Sequence, residues 1–246
     1  MKEVTIMSGH NKWSKIKNKK GAEDAKRGAI FNKLSIEIFA AAKAGGGDPA
    51  MNASLRLALD KAKAANMPKD NINRAIKKAT DAGDTTNYDE LTYEGYGPGG
   101  VAILVHTLTD NKNRTDTNIH VAFSRNGGNL GSSGSVSYMF DRKGYIAIDR
   151  KNLAQDEDAM FEAVIEAGAE DMKTSEEAFE IYTDPSEFTA VKDALQASNF
   201  EFADARLVMV PQNTVAVDES HSTQLEQLIE RLEDDDDVQE VFTNAE

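Results

Sequence analysis

Apolar positions in this chain follow a helical period at first and an alternating one later, and the change falls near residue 80. Ile30, Leu34 and Ile38 stand four apart with Phe39 beside them, which predicts a helix from Glu23 to about Ala44, stopped by Gly45-Gly46-Gly47. Asp48-Pro49 then reads as a second start, with Asp48 as N-cap and Pro49 at the first helical position. Leu55, Leu59 and Ala62 mark the buried face of that helix, and Asn66 with Pro68 ends it. A third helix, roughly Lys69–Thr80, turns Ile72, Ile76 and Ala79 inward. At ~100° per residue, Arg74, Lys77 and Lys78 then fall on its opposite side.

Beyond residue 80, Tyr88–Glu94 and Val101–Thr109 read as strands joined by the turn Gly95–Gly100. Asn113–Asn126 is a helix with Ile119 and Phe123 inward and Gly127 as its stop, and Gly128–Ser135 reads as a hinge. From Tyr145 the expected order is strand Tyr145–Asp149, helix Gln155–Ala167, strand Glu170–Lys173, strand Ala178–Thr183, helix Ser186–Ala197 and strand Glu201–Val210. In the first of these helices Met160, Phe161, Val164 and Ile165 are all taken as inward. This βαββαβ order is ferredoxin-like. Strand Thr214–Val217, helix Ser220–Glu233 and strand Val238–Thr243 close the chain. The last strand can complete the sheet begun at residues 88–109, which makes the ferredoxin-like unit an insertion; periodicity alone does not decide that pairing.

The expected class is therefore α+β and multidomain, with an N-terminal helical bundle, an α+β middle domain and an inserted ferredoxin-like domain. The boundaries are 1–82, 83–134 with 211–246, and 135–210.

Charge changes this picture. The whole chain is acidic, at −14, yet residues 1–80 hold 17 Lys and Arg against 7 Asp and Glu. Residues 151–246 carry about −21. A basic block on an acidic chain is a local footprint for a polyanion. There is no cysteine, so disulfides, thiol nucleophiles and Cys-ligated metal sites are excluded. No apolar run is longer than Val101–Val105, which falls far short of the ~20 residues that span a bilayer. A cytoplasmic protein is expected, with neither a membrane partner nor a small-molecule substrate.

Eight basic groups lie between residues 10 and 33: Lys12, Lys15, Lys17, Lys19, Lys20, Lys26, Arg27 and Lys33. They can neutralise phosphates and release counterions, and Trp13 can stack on an unpaired base. Arg74, Lys77 and Lys78 add a second basic face. A solvated Lys-rich helix with Trp13 packed on the bundle is the competing reading; the density of charge favours nucleic acid. Asn111, Asn113 and Arg114 sit where a strand meets a helix N-terminus and are either a second contact or simple capping. The glycine runs lack the Lys-Ser/Thr of a phosphate loop, so they read as turns. The four histidines have no metal-ligand spacing, and Asp234–Asp237 reads as a solvated helix end. No cofactor, metal site or catalytic constellation is expected.

Several of these stretches also resemble a known family. Met7-Ser8-Gly9-His10-Asn11-Lys12-Trp13-Ser14-Lys15-Ile16-Lys17, Ala25-Lys26-Arg27-Gly28, and Gly45-Gly46-Gly47-Asp48-Pro49 are similar to the start of the YebC/PmpR family. So are Tyr93–Gly100, Asp110–Thr115, Gly127–Gly131, Gly134–Val136, Leu232–Asp234 and Asp236–Val241, in order along nearly the whole chain. Met1–Ile6 departs from the family, which usually begins at the equivalent of Met7, and reads either as a misplaced start codon or as a genuine extension. The resemblance implies a three-domain, crescent-like cytoplasmic protein, YebC-like in fold and not an enzyme. Members are described as DNA-binding transcriptional regulators. Mitochondrial relatives and some bacterial ones resemble ribosome-associated translation factors that bind rRNA or tRNA and relieve stalling at proline runs.

Three functions stay in play. The first is a nucleic-acid-binding regulator, acting on DNA or on ribosomal RNA and tRNA. The second is an acidic adaptor for a basic protein, and the third an unrecognised hydrolase.

Overall fold

The computed structural model describes residues 23–152 and 157–246. It divides into two compact units, one holding Asp24–Phe140 with Pro211–Glu246, the other Asp141–Val210.

The first unit opens with helices α1 (Glu23–Gly45), α2 (Ala53–Ala64) and α3 (Lys69–Thr80). Their facing residues Leu34, Ile38, Phe39, Leu55, Ala58, Leu59, Ala62, Ile72 and Ala79 form one apolar core. Burying side chains of this size stabilises by about 1.5–3 kcal/mol each for the larger ones, which is what holds three short helices together. The start of α2 differs from the sequence expectation. Asp48 and Pro49 shape a turn, with the Asp48 carboxylate accepting from the Ala50 amide at 2.9 Å. The N-cap is Asn52, whose Oδ1 accepts from the Leu55 amide at 3.0 Å while its Nδ2 donates to the Ala41 and Gly46 carbonyls, both at 2.8 Å. Asn52 outcompetes Asp48 because one buried amide side chain caps α2 and also ties it to carbonyls at and just beyond the end of α1.

The sheet that follows runs, in spatial order, Asn129–Leu130 (β3), Asp89–Tyr96 (β1), Ala102–Thr109 (β2) and Val238–Thr243 (β8). Strands β1 and β2 form an antiparallel hairpin, and β8 pairs antiparallel with β2. The last strand of the chain thus sits beside a strand more than a hundred residues earlier. Helices α4 (Lys112–Arg125) and α7 (Glu219–Glu233) supply Ile119, Phe123, Leu225, Leu228 and Leu232 to a core with Val101, Ile103 and Val105. Residues 214–217 form no strand; Val215 makes one parallel bridge to Ala245, and Val217 packs against the core.

The expected hinge at Gly128–Ser135 is instead tied to the sheet. Asn129–Leu130 forms the short strand β3 against Tyr96 and Gly95. A Cβ at Gly95 would lie 2.6 Å from the Phe123 ring and 2.7 Å from the Asn129 carbonyl, so glycine is what lets β3 approach.

The second unit has β4 (Phe140–Asp149), α5 (Glu157–Glu166), β5 (Asp171–Thr174), β6 (Ala178–Thr183), α6 (Phe188–Ala197) and β7 (Asp204–Pro211). Its sheet order is β5-β6-β4-β7, so the first and third strands of the βαββαβ run are the central pair, as the ferredoxin-like reading requires. Met160, Val164, Val191 and Leu195 of the two helices are buried, with Ile146, Ile148, Phe179 and Ile181 of the central strands. Phe161 and Ile165, expected inward, are exposed on α5. Among the described residues, no helix is long and apolar enough to cross a membrane.

Candidate nucleic-acid interface

Helix α3 sorts its residues cleanly. Ile72, Ala75 and Ala79 are buried, and Arg74 and Lys77, three apart, project from the exposed side. Lys78 is exposed too but held: its ammonium lies 3.9 Å from the Asp84 carboxylate and 5.5 Å over the Phe39 ring. Lys77 and Lys78 occupy the last turn, where cations also suit the helix dipole. Arg74 has no such local reason to be basic.

On α1, Arg27 is exposed. Lys33 is turned inward, donating to the carbonyl of Glu233 at 2.5 Å and so closing the C-terminal end of α7. A lysine at that carbonyl satisfies a group α7 cannot satisfy itself, and it draws Lys33 away from a phosphate-contacting role. Lys12, Trp13, Lys15, Lys17, Lys19 and Lys20 lie outside the described residues, as does the side chain of Lys26.

The Asp110–Thr115 cluster is built as architecture. Asn111 caps α4, its Oδ1 accepting from the Arg114 amide at 3.1 Å. Asn113 is exposed. Arg114 grips the buried Asp237 in a fork, Nε to Oδ2 at 3.0 Å and Nη2 to Oδ1 at 2.6 Å, and reaches Asp110 at 2.9 Å. Both carboxylates raise the Arg114 pKa above its ordinary value. Thr115 donates to Asp237 as well, at 2.8 Å, and Asn118 donates to Asp235 at 2.8 Å. The Asp234–Asp237 run is thus no plain solvated helix end, because it locks β8 and α7 onto α4. The groove beside it, about 520 Å³, is lined by Ile36, Tyr88, Asp110, Arg114 and Asp234–Asp237. With so many carboxylates it would repel a phosphate, so capping and clamping account for this cluster.

Sequence reasoning missed Glu94. Its buried carboxylate accepts three backbone amides, from Gly134 at 2.7 Å and from Val136 and Ser137 at 2.8 Å. The amides of this loop already hold an anion of the protein's own. Burial pushes the Glu94 pKa up, but the Gly134, Val136 and Ser137 amides outweigh it and hold the group below its ordinary 4.5. No local signal joins Glu94 to residues forty positions on.

A depressed carboxylate pKa gives stability that is complete above the unfolded value of 4.5 and is lost as pH falls through the lower folded value. The wild-type loop should therefore loosen below pH 4.5, and Glu94→Gln should show little of that acid response. The variant is expected to cost about 1–3 kcal/mol at neutral pH. Denaturant unfolding and amide exchange at Val136 and Ser137 read both effects; unchanged exchange in the variant would show that something else holds the loop.

A ferredoxin-like sheet with aromatic residues on its two central strands can stack RNA bases. Tyr145 and Tyr182 are such a pair, directly opposed on β4 and β6 with centroids 5.6 Å apart. Both are buried, and the Tyr182 hydroxyl donates to buried Glu180 at 3.1 Å. Lys173 Nζ lies 5.3 Å over the Tyr182 ring, but a platform needs exposed ring faces and these are buried, so this pair is a packing element. Among the described residues no group of His, Cys, Asp and Glu is placed to hold a metal ion.

Comparison with known proteins covers almost the whole chain. The model of the TACO1/YebC protein N-terminal domain matches residues 11–82, and that of the TACO1/YebC second and third domain matches 88–245. A protein of Enterococcus faecalis is 65% identical over 240 residues, spanning 98% of this chain and 99% of its own. One from Lacticaseibacillus casei is 61% identical over 237 residues, spanning 96% and 97%. Both bear the name "Probable transcriptional regulatory protein". A crystal structure of a conserved hypothetical protein from Aquifex aeolicus superposes with a TM-score of 0.83 at 44% identity, covering 91% of each chain.

Proposed function

Because the chain belongs to the TACO1/YebC family, we propose that it is a non-enzymatic, nucleic-acid-binding regulator of gene expression. Its basic N-terminal region, residues 1–82, is the binding domain. The segment 10–33 makes the main contact through Lys12, Trp13, Lys15, Lys17, Lys19, Lys20, Lys26 and Arg27, and α3 adds Arg74 and Lys77. The names of the relatives support the regulatory part of this reading. The single observation that carries the nucleic-acid part is electrostatic: 17 Lys and Arg against 7 Asp and Glu in the first eighty residues of a chain whose net charge is −14. Cations at such density act through phosphate contacts, which give affinity without sequence preference.

RNA of the ribosome is the second reading. A net charge of about −21 over residues 151–246 opposes a long duplex laid across the whole molecule. A structured RNA need meet only the basic region, while the acidic part faces basic proteins.

Crosslinking in growing cells, denaturing purification and sequencing of the attached nucleic acid separates the two. Fragments clustered at one ribosomal site make this a translation factor; recurrent promoter DNA makes it a transcription regulator. Absence of any nucleic acid would leave the adaptor reading in its place. Trp13→Ala gives a finer test, with an expected loss of about 1–3 kcal/mol on single-stranded targets and much less on duplex. Equal losses on both would give Trp13 a packing role.

A further inference from the structure

The helical layer of the second unit leaves an apolar strip uncovered. On α5, Met160 and Val164 are fully buried, whereas Phe161 and Ile165 are 46% and 42% exposed. Residues four apart on a helix are neighbours, so these two stand one above the other on the solvent side. The strip is rimmed by a single sign of charge. Glu157 and Asp158 lie one turn before Phe161, Glu162 and Glu166 follow the two apolar residues, and all four are exposed. On α6 the exposed charge is Asp193, with Glu187 exposed at the start of the helix, while the one lysine of the two helices, Lys192, is buried. Every exposed charged side chain on α5 and α6 is therefore a carboxylate.

A lone exposed apolar group needs no explanation. An apolar centre that includes an aromatic ring, set inside a polar rim, has the anatomy of a protein interface. The sign of this rim selects the occupant. Phosphate backbones and anionic lipid headgroups are repelled, and so is the same face of a second copy. A segment that carries Lys or Arg beside apolar residues gains on both counts, because its stems and apolar groups cover the strip while its charges meet the carboxylates. We propose that the outer face of α5 is a docking surface for a basic, amphipathic segment of a partner protein. The partner's apolar side chains cover Phe161 and Ile165, and its cations lie among Glu157, Asp158, Glu162 and Glu166. Helix α5 is 10 residues long, about 15 Å, so the contact is small. Electrostatic attraction then governs the rate of association and makes it salt-sensitive. The surface operates whether or not nucleic acid is the chain's other partner, so failure of either reading leaves the other standing.

The probe is a synthetic helical peptide with leucines on one face and lysines on the other, added to the full-length protein without nucleic acid. Amide-exchange protection is expected on α5, and affinity should fall as salt rises. A peptide of the same composition with the two residue types scrambled should bind about tenfold more weakly, since it cannot present both faces at once. Phe161→Ser with Ile165→Ser, and separately Glu162→Lys with Glu166→Lys, should each weaken binding of the ordered peptide by about tenfold. All four positions are exposed, so both variants should fold, which circular dichroism checks. Protection only elsewhere, equal binding of the two peptides, or variants that bind as wild type would overturn the assignment. The occupant in growing cells is read with p-benzoylphenylalanine in place of Phe161. A photocrosslink to a Lys- or Arg-rich stretch of another protein supports the proposal. Crosslinks confined to nucleic acid, or to this chain in the same or a second copy, overturn it.

Discussion

Arg114→Ala is expected to be the most destabilising single substitution named here, lowering the unfolding free energy by about 3 kcal/mol. Asp237 is 3% exposed and receives both arms of the Arg114 fork. Removing the arginine leaves a buried carboxylate with Thr115 as its remaining side-chain donor in this network. Breaking a fully buried pair costs about 3–5 kcal/mol. The Arg114 side chain is 46% exposed, so water can partly replace it and the lower end of that range applies. For a unit of this size the loss corresponds to a fall in Tm of about 6–12 °C, read by thermal unfolding of the unit that contains α4 and β8. Arg114→Met with Asp237→Leu should recover part of the loss, because an apolar pair leaves no charge unpartnered. A single variant as stable as wild type would show that the clamp contributes nothing net. Nucleic-acid affinity at permissive temperature should be unaltered, since the fork, not a phosphate, occupies the guanidinium.

Charge reversal of the arm should have the largest effect on function. Replacing Lys15, Lys17, Lys19 and Lys20 by Glu removes four cations and adds four repelling carboxylates. If each lysine neutralises one phosphate, the salt dependence of log K should flatten by about 3 to 4 units of slope, at ~0.9 per duplex contact. Affinity at moderate salt should fall at least a hundredfold, on the order expected when several phosphate contacts are lost together. Filter binding or anisotropy from 50 to 200 mM salt measures both. An unchanged slope would place the contact elsewhere, with Arg74 and Lys77 on α3 the next candidates. Arg74→Glu with Lys77→Glu should give a smaller loss of the same kind.

The two predictions differ in how the residues behind them could be recognised. The arm's lysines stand out because charge density along a chain needs no fold to be counted. The part played by Arg114 was not visible in that way. Its neighbours Asp110, Asn111 and Asn113 suggested either a cap or an anion contact, and only the arrival of Asp237 from β8 decides between them. Lys33 is a similar case. Counted among the basic residues, it turns out to close α7 through the Glu233 carbonyl.

Local pattern was enough wherever one element's own period carried the information. Strands Ala178–Thr183 and Val238–Thr243 and helix Lys69–Thr80 have the bounds that alternation and periodicity predict. The βαββαβ order was readable for the same reason. Where two segments competed for one role, the chain alone was misleading. Asp48-Pro49 is a good helix start by local chemistry, yet Asn52 wins by reaching carbonyls of the preceding helix and loop. Phe161 and Ile165 fit an apolar helix face, but that face is wider than the sheet beneath it can cover.

The amino-acid sequence by itself determined most of the element types, the helical-then-mixed order, the concentration of cations in the first eighty residues and the family resemblance. These follow from short-range periodicity and from charge, which need no partner to be read. Tertiary structure decided that β8 joins β2, that Glu94 pins the loop once read as a hinge, that Arg114 serves Asp237, and which apolar residues of α5 stay outside. Each of these is a pairing between groups far apart in the chain, selected by which buried polar atoms must be satisfied and which surfaces can be covered at once.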